Sequence, residues 1–226
     1  MPWTAPPVGA RATSSRTISA HDEDWATALE PAAPDIVAAW NGIQAEKFIS
    51  VRREVRRRAG AGSAAGIVAQ LGAVVEAIGA LVASLPEEAF ALPGGEGDWT
   101  VAEAVGHDAA ARSGLALAAG LAASGRWPPD APTVTPGVPG PAGASRDELL
   151  RKLAQSQRIV ARAAVLVAGH EEESCPLVHP LVGRLRCGEW LLFAGVHDLM
   201  HLEQLHAIRD AVAEAPHSAP VGQSPG

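Results

Sequence analysis

The chain has 226 residues and a formal net charge of −7, and 47% of its residues are hydrophobic. This length and composition allow a substantial buried core, and the acidic balance argues against nucleic acid as a partner of the whole molecule. Tyrosine is absent and alanine is abundant, which favours helices over sheets. The two cysteines form no disulfide framework and no apolar signal segment follows Met1, so we expect a cytoplasmic location.

Residues 1–60 are predicted to form an N-terminal extension. Its start is rich in Pro, Gly, Ser and Thr without hydrophobic periodicity, and is predicted to be disordered. A helix is predicted over 35–58, with Asp35 as its cap and Ile36 and Trp40 on its apolar face. Five arginines in its second half are interpreted as a solvated helix face, with a phosphate or membrane-surface contact as the alternative. They are Arg52, Arg53, Arg56, Arg57 and Arg58.

Residues 61–214 are predicted to form a helical bundle whose first helix covers 64–85. Apolar residues recur there at helical spacing, and they form one stripe. The stretch is about long enough to span a membrane, but Glu76 near its centre and the two-faced pattern favour a soluble helix and no membrane partner. The stripe consists of Ile67, Leu71, Val74, Ile78, Leu81 and Leu85.

Three further helices complete the predicted bundle. Two sequences of capping-box form, TVAE at 100–103 and SRDE at 145–148, predict the starts of helices that end near 123 and 168. The last helix is predicted from 187 or 188 to about 213, and residues 215–226 are predicted to be a disordered tail. No strand is predicted in the connections. The fold class is therefore all-α, an antiparallel four-helix bundle with long connections.

The strongest chemical signal is a pair of histidines, His197 and His201, in the last predicted helix. Four residues of helix advance about one turn, so both imidazoles project from one face, and that face is otherwise apolar. Two neutral imidazoles at this spacing can hold one transition metal ion. His107 in the second helix is the best third ligand, because the small residues on its face leave room beside an ion. Independent hydrogen-bonded core histidines are the alternative.

Several other polar residues have two interpretations. Asp198 is interpreted as a solvated helix charge and Gln204 as a buried hydrogen-bonding residue, with orientation of the imidazoles as the alternative role for both. Glu103 is interpreted as a cap rather than a general base. His206 lies about 180° from His197 on an ideal helix and is predicted to be outside the site. The remaining histidines are predicted at the surface: His21, His170, His179 and His217.

These motifs resemble those of the DinB superfamily of metal-binding four-helix bundles. The resemblance lies in WTVAEAVGH at 99–107 and HDLMHLEQL at 197–205, and it extends over about 64–213. It implies a site for zinc, nickel or a similar divalent ion, with His107, His197 and His201 as ligands. Some members transfer low-molecular-weight thiols such as bacillithiol or mycothiol to electrophiles, and others isomerise maleylpyruvate with mycothiol.

The resemblance favours a metal-dependent thiol S-transferase, or a related metal-dependent hydrolase, that acts on a small-molecule substrate with a low-molecular-weight thiol as cosubstrate. The first alternative is a non-catalytic metal-binding or stress-related bundle that acts through ligand or protein binding. The second is an association module that uses the arginine cluster at an acidic surface. A homodimer is compatible with the alanine-lined helix faces.

Overall fold

The computed structural model describes residues 24–44, 49–59, 63–94, 98–135, 137–180 and 182–214. The predicted disorder of residues 1–20 and 215–226 lies outside these ranges. The described elements, in chain order, are α1 (Asp24–Leu29), α2 (Pro34–Gln44), α3 (Ile49–Ala59), α4 (Ala64–Ser84), α5 (Val101–Ala123), α6 (Arg146–Val167), β1 (Ser174–His179), β2 (Gly183–Arg186) and α7 (Cys187–Glu214), with a short 3-10 helix at Glu87–Ala91.

The architecture is a helical bundle, so the predicted all-α class is confirmed. Helices α4 and α5 each pack against α6 and α7, and the core lies between these four helices. The predicted apolar stripe of α4 is buried along its whole length, while Glu76 is exposed. Both capping boxes form as predicted, at the starts of α5 and α6.

Helix α4 is long and apolar enough, by length and composition, to cross a membrane. Among the described residues it is the one helix that meets these criteria. It packs against α6 and α7, and Ser63 caps its first turn by accepting a hydrogen bond from the Gly66 N–H. A helix packed in this way fits the core of a soluble protein.

The segment before α4 differs from its prediction. The helix expected over 35–58 is described as two helices, α2 and α3, and α1 was not predicted. Asp35 is not the cap of α2, because Pro34 begins the helix and Asp35 lies in its first turn. The amide oxygen of Gln70 in α4 instead accepts hydrogen bonds from the Asp35 and Ile36 N–H groups, at 2.9 and 3.2 Å. Gln70, which is distant in the sequence, therefore accepts the hydrogen bonds at the start of α2 that a local cap was expected to accept.

Helix α2 packs closely on α7. Ile36 is fully buried, and a Cβ atom added at Gly195 would lie only 2.4 Å from its Cδ1 atom. Glycine at 195 is therefore what allows the two helices to approach this closely. Through this contact α7 is covered on a side that a four-helix bundle alone would leave open to solvent.

The connection over 169–186 contains an antiparallel hairpin, so the prediction of no strands was wrong. Ser174 pairs with Arg186 and His179 with Gly183, which adopts a positive φ of 66°. Cys175 and Leu177 are buried while their neighbours are more exposed, which is a period-two pattern. With Pro176 inside it, this short pattern was too weak to predict a strand against a helical background.

Candidate metal centre

Three histidines from two helices converge inside the bundle. His107 comes from α5, and His197 and His201 come from successive turns of α7. One ring nitrogen of each lies within 4.8 Å of the other two. His107 and His201 are 8% and 4% exposed, and His197 is partly buried. The three residues chosen from the sequence are thus brought together, and the cluster can hold a divalent ion.

The Nδ1 atom of each imidazole faces an oxygen acceptor. His107 donates to the Val138 carbonyl oxygen at 2.7 Å, and His201 donates to the Gln204 side-chain oxygen at 2.9 Å. The His197 Nδ1 atom lies 3.6 Å from an oxygen of Asp108. Acceptors in this position keep the proton on Nδ1 and orient Nε2 toward an ion. Gln204 therefore has the orienting contact that was its alternative interpretation.

Burial favours the neutral, metal-binding form of His201. The pKa of His201 is lowered mainly by desolvation, and the neighbouring histidines His197 and His107 lower it further. A neutral imidazole has a lone pair available for a cation, whereas an imidazolium does not. The environment of His201 therefore favours metal binding over protonation.

Two carboxylates lie behind the histidines. Asp108 of α5 and Asp198 of α7 are fully buried, and each has an oxygen within 4.8 Å of a His197 ring nitrogen. Burial acts to raise the pKa of Asp108, but His197, His201 and Arg112 outweigh it and hold the value at about 2. The Asp108 oxygen faces His197 Nδ1 at 3.6 Å, which is longer than an ordinary hydrogen bond, so the contact is mainly electrostatic. A buried carboxylate needs a compensating positive charge, and an ion held by the histidines would supply one.

Arg112 of α5 pairs with Asp198 and ties the four bundle helices together. Its Nε atom lies 3.0 Å from Oδ2 of Asp198, and both side chains are fully buried. Its terminal nitrogens donate to the Leu71 carbonyl oxygen of α4 and the Ser156 hydroxyl of α6, at 3.1 and 3.2 Å. Burial raises the pKa of Asp198, and the charge of Asp108 adds to this effect, so one guanidinium does not balance both carboxylates. A proton on one of the carboxylates, or a bound cation, is needed to make the group of Asp108, Asp198 and Arg112 electrically neutral.

The interpretation of Asp198 as a solvated charge was therefore wrong, and sequence reasoning missed Asp108 and Arg112. Asp198 does point away from the centre of the histidine face, as predicted, but α5 covers that side of α7 and leaves it no solvent. The available signal was the spacing of Asp108 and Arg112, four residues apart on an alanine-rich helix. An acidic and a basic residue at this spacing also form ion pairs along one exposed helix, so this signal does not by itself distinguish a contact across a helix interface.

A backbone contact closes the site on the α5 side. The Gly140 N–H donates to the Glu103 carbonyl oxygen at 2.9 Å, and Val138 accepts from His107. A Cβ atom added at Gly140 would lie 2.6 Å from the Gly106 Cα atom, so both glycines are required for this approach. The ring of Trp99 lies 4.8 Å from that of His107, measured between centroids.

The remaining histidines are placed as follows. His206 stacks on Trp25 at 5.3 Å and is outside the cluster, as predicted, and His170 is exposed beside Glu173. His179 is only partly exposed and its ring lies 5.1 Å from that of Phe193, so the surface prediction for His179 was wrong. His179 is partly buried because the hairpin packs against α7. His21 and His217 lie outside the described residues.

The space beside the histidines is narrow. A crevice too tight to admit a water molecule reaches His201, and its other lining residues are Gly94, Ala104, Val105, Gln204 and Leu205. Ala104 is one of the small residues from which room for a ligand was predicted, and the crevice does not provide that room. A larger cavity of about 190 Å³ lies at Arg56 and Glu189 and is not lined by any of the three histidines.

Comparison with known proteins adds one finding. A family model described as the DinB superfamily matches residues 80–205, which is more than half of the 226-residue chain and includes the three histidines, Asp108, Arg112 and the hairpin. No curated protein and no solved structure matches the chain. On the strength of the family match and the helical fold, this chain belongs to the DinB superfamily.

Proposed function

We propose that this protein is a metal-dependent enzyme of the DinB type in which His107, His197 and His201 hold one divalent ion. Zinc is the ion we favour, with nickel as the alternative. We further propose that it is a thiol S-transferase, in which a low-molecular-weight thiol such as mycothiol or bacillithiol attacks a small electrophile, or a related hydrolase.

One observation carries this proposal: three imidazoles approach within 4.8 Å while their Nδ1 atoms face oxygen acceptors. Independent core histidines would need only separate acceptors and no mutual approach of three ring nitrogens. Three protein ligands also leave a coordination position open, which is the pattern of catalytic rather than structural zinc.

A bound divalent ion would supply Lewis acidity, which lowers the pKa of a thiol or a water molecule held at the open position. The chain's own residues would prepare that position. Asp108 and Gln204 would orient His197 and His201, and the Val138 carbonyl would orient His107. Burial of the histidines would exclude bulk water and strengthen the electrostatic contacts made there.

The main alternative is a non-catalytic bundle in which the ion stabilises the fold. The narrow crevice beside His201 favours it, because the crevice leaves no room for a small-molecule ligand. A cytoplasmic location and a homodimer remain proposals that rest on composition. Arg57 and Arg56 pair with Glu54 and Glu189, so no specific observation favours the arginine cluster as an association surface.

The test is the metal content of tag-free wild type and of His197→Ala, measured by elemental analysis after purification without added metal. We expect about one divalent ion per chain in wild type and little in the variant. His170→Ala is the matched control, because it removes an exposed histidine outside the site. A wild-type protein that is empty and cannot be loaded would refute the metal centre.

An activity assay distinguishes the thiol S-transferase from the non-catalytic bundle. Metal-loaded wild type and His197→Ala are assayed in parallel with mycothiol or bacillithiol and a general electrophile. The consumption of the thiol is measured for both proteins. Metal-dependent consumption supports the transferase. Loss of thermal stability on chelation without any thiol turnover supports the non-catalytic bundle instead.

A further inference from the structure

A polar cavity of about 190 Å³ lies where α3 meets the first turn of α7 and the connection that precedes the hairpin. Its charged lining residues are Arg56, Glu171, Glu172, Arg186 and Glu189. Arg56 belongs to α3, which lies outside the family match at 80–205. The cavity is therefore separate from the metal centre, and it depends on a helix that this chain adds to the matched segment.

Two of the three carboxylates in the cavity are compensated by the protein. Glu189 is buried, and its oxygens face Arg56 Nε at 3.3 Å and accept from the Arg186 N–H at 2.8 Å. Glu171 accepts from the Ala64 N–H, at the start of α4, at 3.1 Å. Burial acts to raise the pKa of Glu171, but this backbone donor and others outweigh it and lower the value. Both carboxylates are thus held in place by donors of the protein.

The two arginines keep hydrogen-bond donors that the protein does not use. Arg56 faces Glu189 through Nε, and Arg186 pairs with Glu172 through Nη1. Among the described residues, no acceptor is hydrogen-bonded to the terminal nitrogens of Arg56 or to Nε and Nη2 of Arg186. These side chains are 44% and 50% exposed. Because a guanidinium has five N–H donors in a planar fork, both can hold a carboxylate.

The charge balance of the cavity argues against a simple anion as its ligand. Three carboxylates and two guanidinium groups leave the lining with a formal charge of −1, which an anion would make more negative. A simple cation would leave the guanidinium donors unused. A ligand with one anionic and one cationic group uses those donors and adds no net charge. Glu172 is exposed and faces Arg186 with Oε2, so it has a second oxygen for the cationic group.

We propose that this cavity binds a small zwitterion of the size of an amino acid. The carboxylate of the ligand accepts hydrogen bonds from Arg56 and Arg186, and its ammonium group donates to Glu172. The cavity volume of about 190 Å³ corresponds to about six water molecules. This suits an amino acid and is smaller than the pockets of drug-sized ligands. Binding is non-covalent and does not require the proposed metal function.

The experiment titrates the full chain with three matched probes and follows backbone amide chemical shifts by NMR. L-Alanine carries both charges, propionate lacks the ammonium group, and ethylammonium lacks the carboxylate. The amides of Gly188 and Glu189 report on the cavity, because both residues line it. His197→Ala is titrated in parallel, because alanine can also coordinate an ion held by the histidines.

We expect L-alanine to bind with a dissociation constant on the order of 1 mM, both in wild type and in His197→Ala. Propionate and ethylammonium should each bind at least about tenfold more weakly, because each lacks one of the two charged contacts.

Two variants test the side chains. Arg186→Gln and Glu172→Gln each remove one charge from an exposed pair, and each should raise the dissociation constant for L-alanine about tenfold. Arg184→Gln is the matched control, because Arg184 is an exposed arginine of the same strand that does not line the cavity. It should stay within about twofold of wild type. If Arg186→Gln does not fold, Glu172→Gln decides the test.

Several results would overturn the inference. L-Alanine could fail to bind, or could shift only amides distant from the cavity. Equal affinity for propionate would indicate a simple anion site, and equal affinity for ethylammonium a simple cation site. Equal losses in Arg184→Gln and Arg186→Gln would indicate a nonspecific charge effect. Binding that is lost in His197→Ala would place L-alanine at the metal centre, which would overturn this inference and support the proposed metal site.

Discussion

The Nε atom of Arg112 lies 3.0 Å from Oδ2 of Asp198, and neither side chain is exposed to solvent. This pair connects α5 to α7 directly behind the histidines. Because Asp198 directly follows His197 in the chain, whatever fixes Asp198 also fixes the turn of α7 that presents His197. The ion pair is therefore part of the scaffold of the metal centre as well as of the core.

Arg112→Met should destabilise the protein strongly. Removal of one partner leaves the other charge buried and unpaired, which costs about 3–5 kcal/mol. The loss of stability is measured as the change in the free energy of unfolding, by urea denaturation in the presence of a chelator. The double variant Arg112→Met, Asp198→Asn should recover part of the loss, because only the Asp108 carboxylate then lacks a buried counter-charge. If Arg112→Met is as stable as wild type, the buried Arg112–Asp198 pair does not contribute to the free energy of unfolding.

Asp108→Asn should weaken metal binding without abolishing it. The substitution keeps the shape of the side chain and removes the charge that faces His197 at 3.6 Å. Loss of a carboxylate that orients a metal-binding imidazole typically costs about 10–100-fold in affinity. Competition with a chromogenic chelator measures the change. Asp130→Asn, an exposed carboxylate in the α5–α6 connection, is the control and should bind as wild type does.

Gly106→Ala should also weaken metal binding, through the backbone. Its new Cβ atom would meet the Gly140 Cα atom at 3.1 Å and Pro141 at 3.0 Å, so the connection must shift away. Such a shift moves the Val138 carbonyl that accepts from His107. We expect a loss of metal affinity of about tenfold, the lower end for a disturbed orienting contact.

The matched control for Gly106→Ala lies on the same helix. A Cβ atom at Gly114 meets nothing within 4 Å, so Gly114→Ala should leave metal affinity unchanged. It should raise the free energy of unfolding by up to about 1 kcal/mol, because alanine is the better helix former. Equal metal affinity in the two variants would show that the Gly106–Gly140 approach does not matter for the site.

Acidification should destabilise the metal-free protein between about pH 6.5 and pH 4. The pKa of His179 falls from its ordinary 6.5 to about 4 on folding, mainly through burial. Between these values the unfolded chain binds a proton that the folded protein does not, so stability is full above the unfolded pKa and declines as pH falls. Urea denaturation at a series of pH values in chelator measures the slope.

His179→Gln provides the comparison for this pH dependence, because glutamine does not titrate. We expect a shallower decline of stability between pH 6.5 and pH 4 in the variant. Asp108, with its pKa held at about 2, should add a separate loss only below its ordinary value of 3.8. Identical slopes for wild type and variant would show that His179 does not titrate differently in the folded state.

Local patterns in the sequence were enough to predict the four bundle helices α4 to α7 and the metal-binding candidates, but not α1 or the division between α2 and α3. The apolar stripe of α4 and the capping residues Thr100 and Ser145 act within a few residues of chain, so they predicted the helix positions well. Spacing of four residues placed His197 and His201 on one face by helix geometry alone. His107 was predicted as the third ligand from the small residues on its helix face and from the family resemblance.

The tertiary structure decided what surrounds those histidines. The burial of Asp198, the role of Arg112 and the approach of His179 each depend on a partner far away in the chain, and no local pattern carries that information. On an isolated helix every charged side chain is exposed to solvent. It becomes buried only when a second helix packs over it. The sequence by itself therefore determined which residues can bind a metal, and packing determined the electrostatics under which they do so.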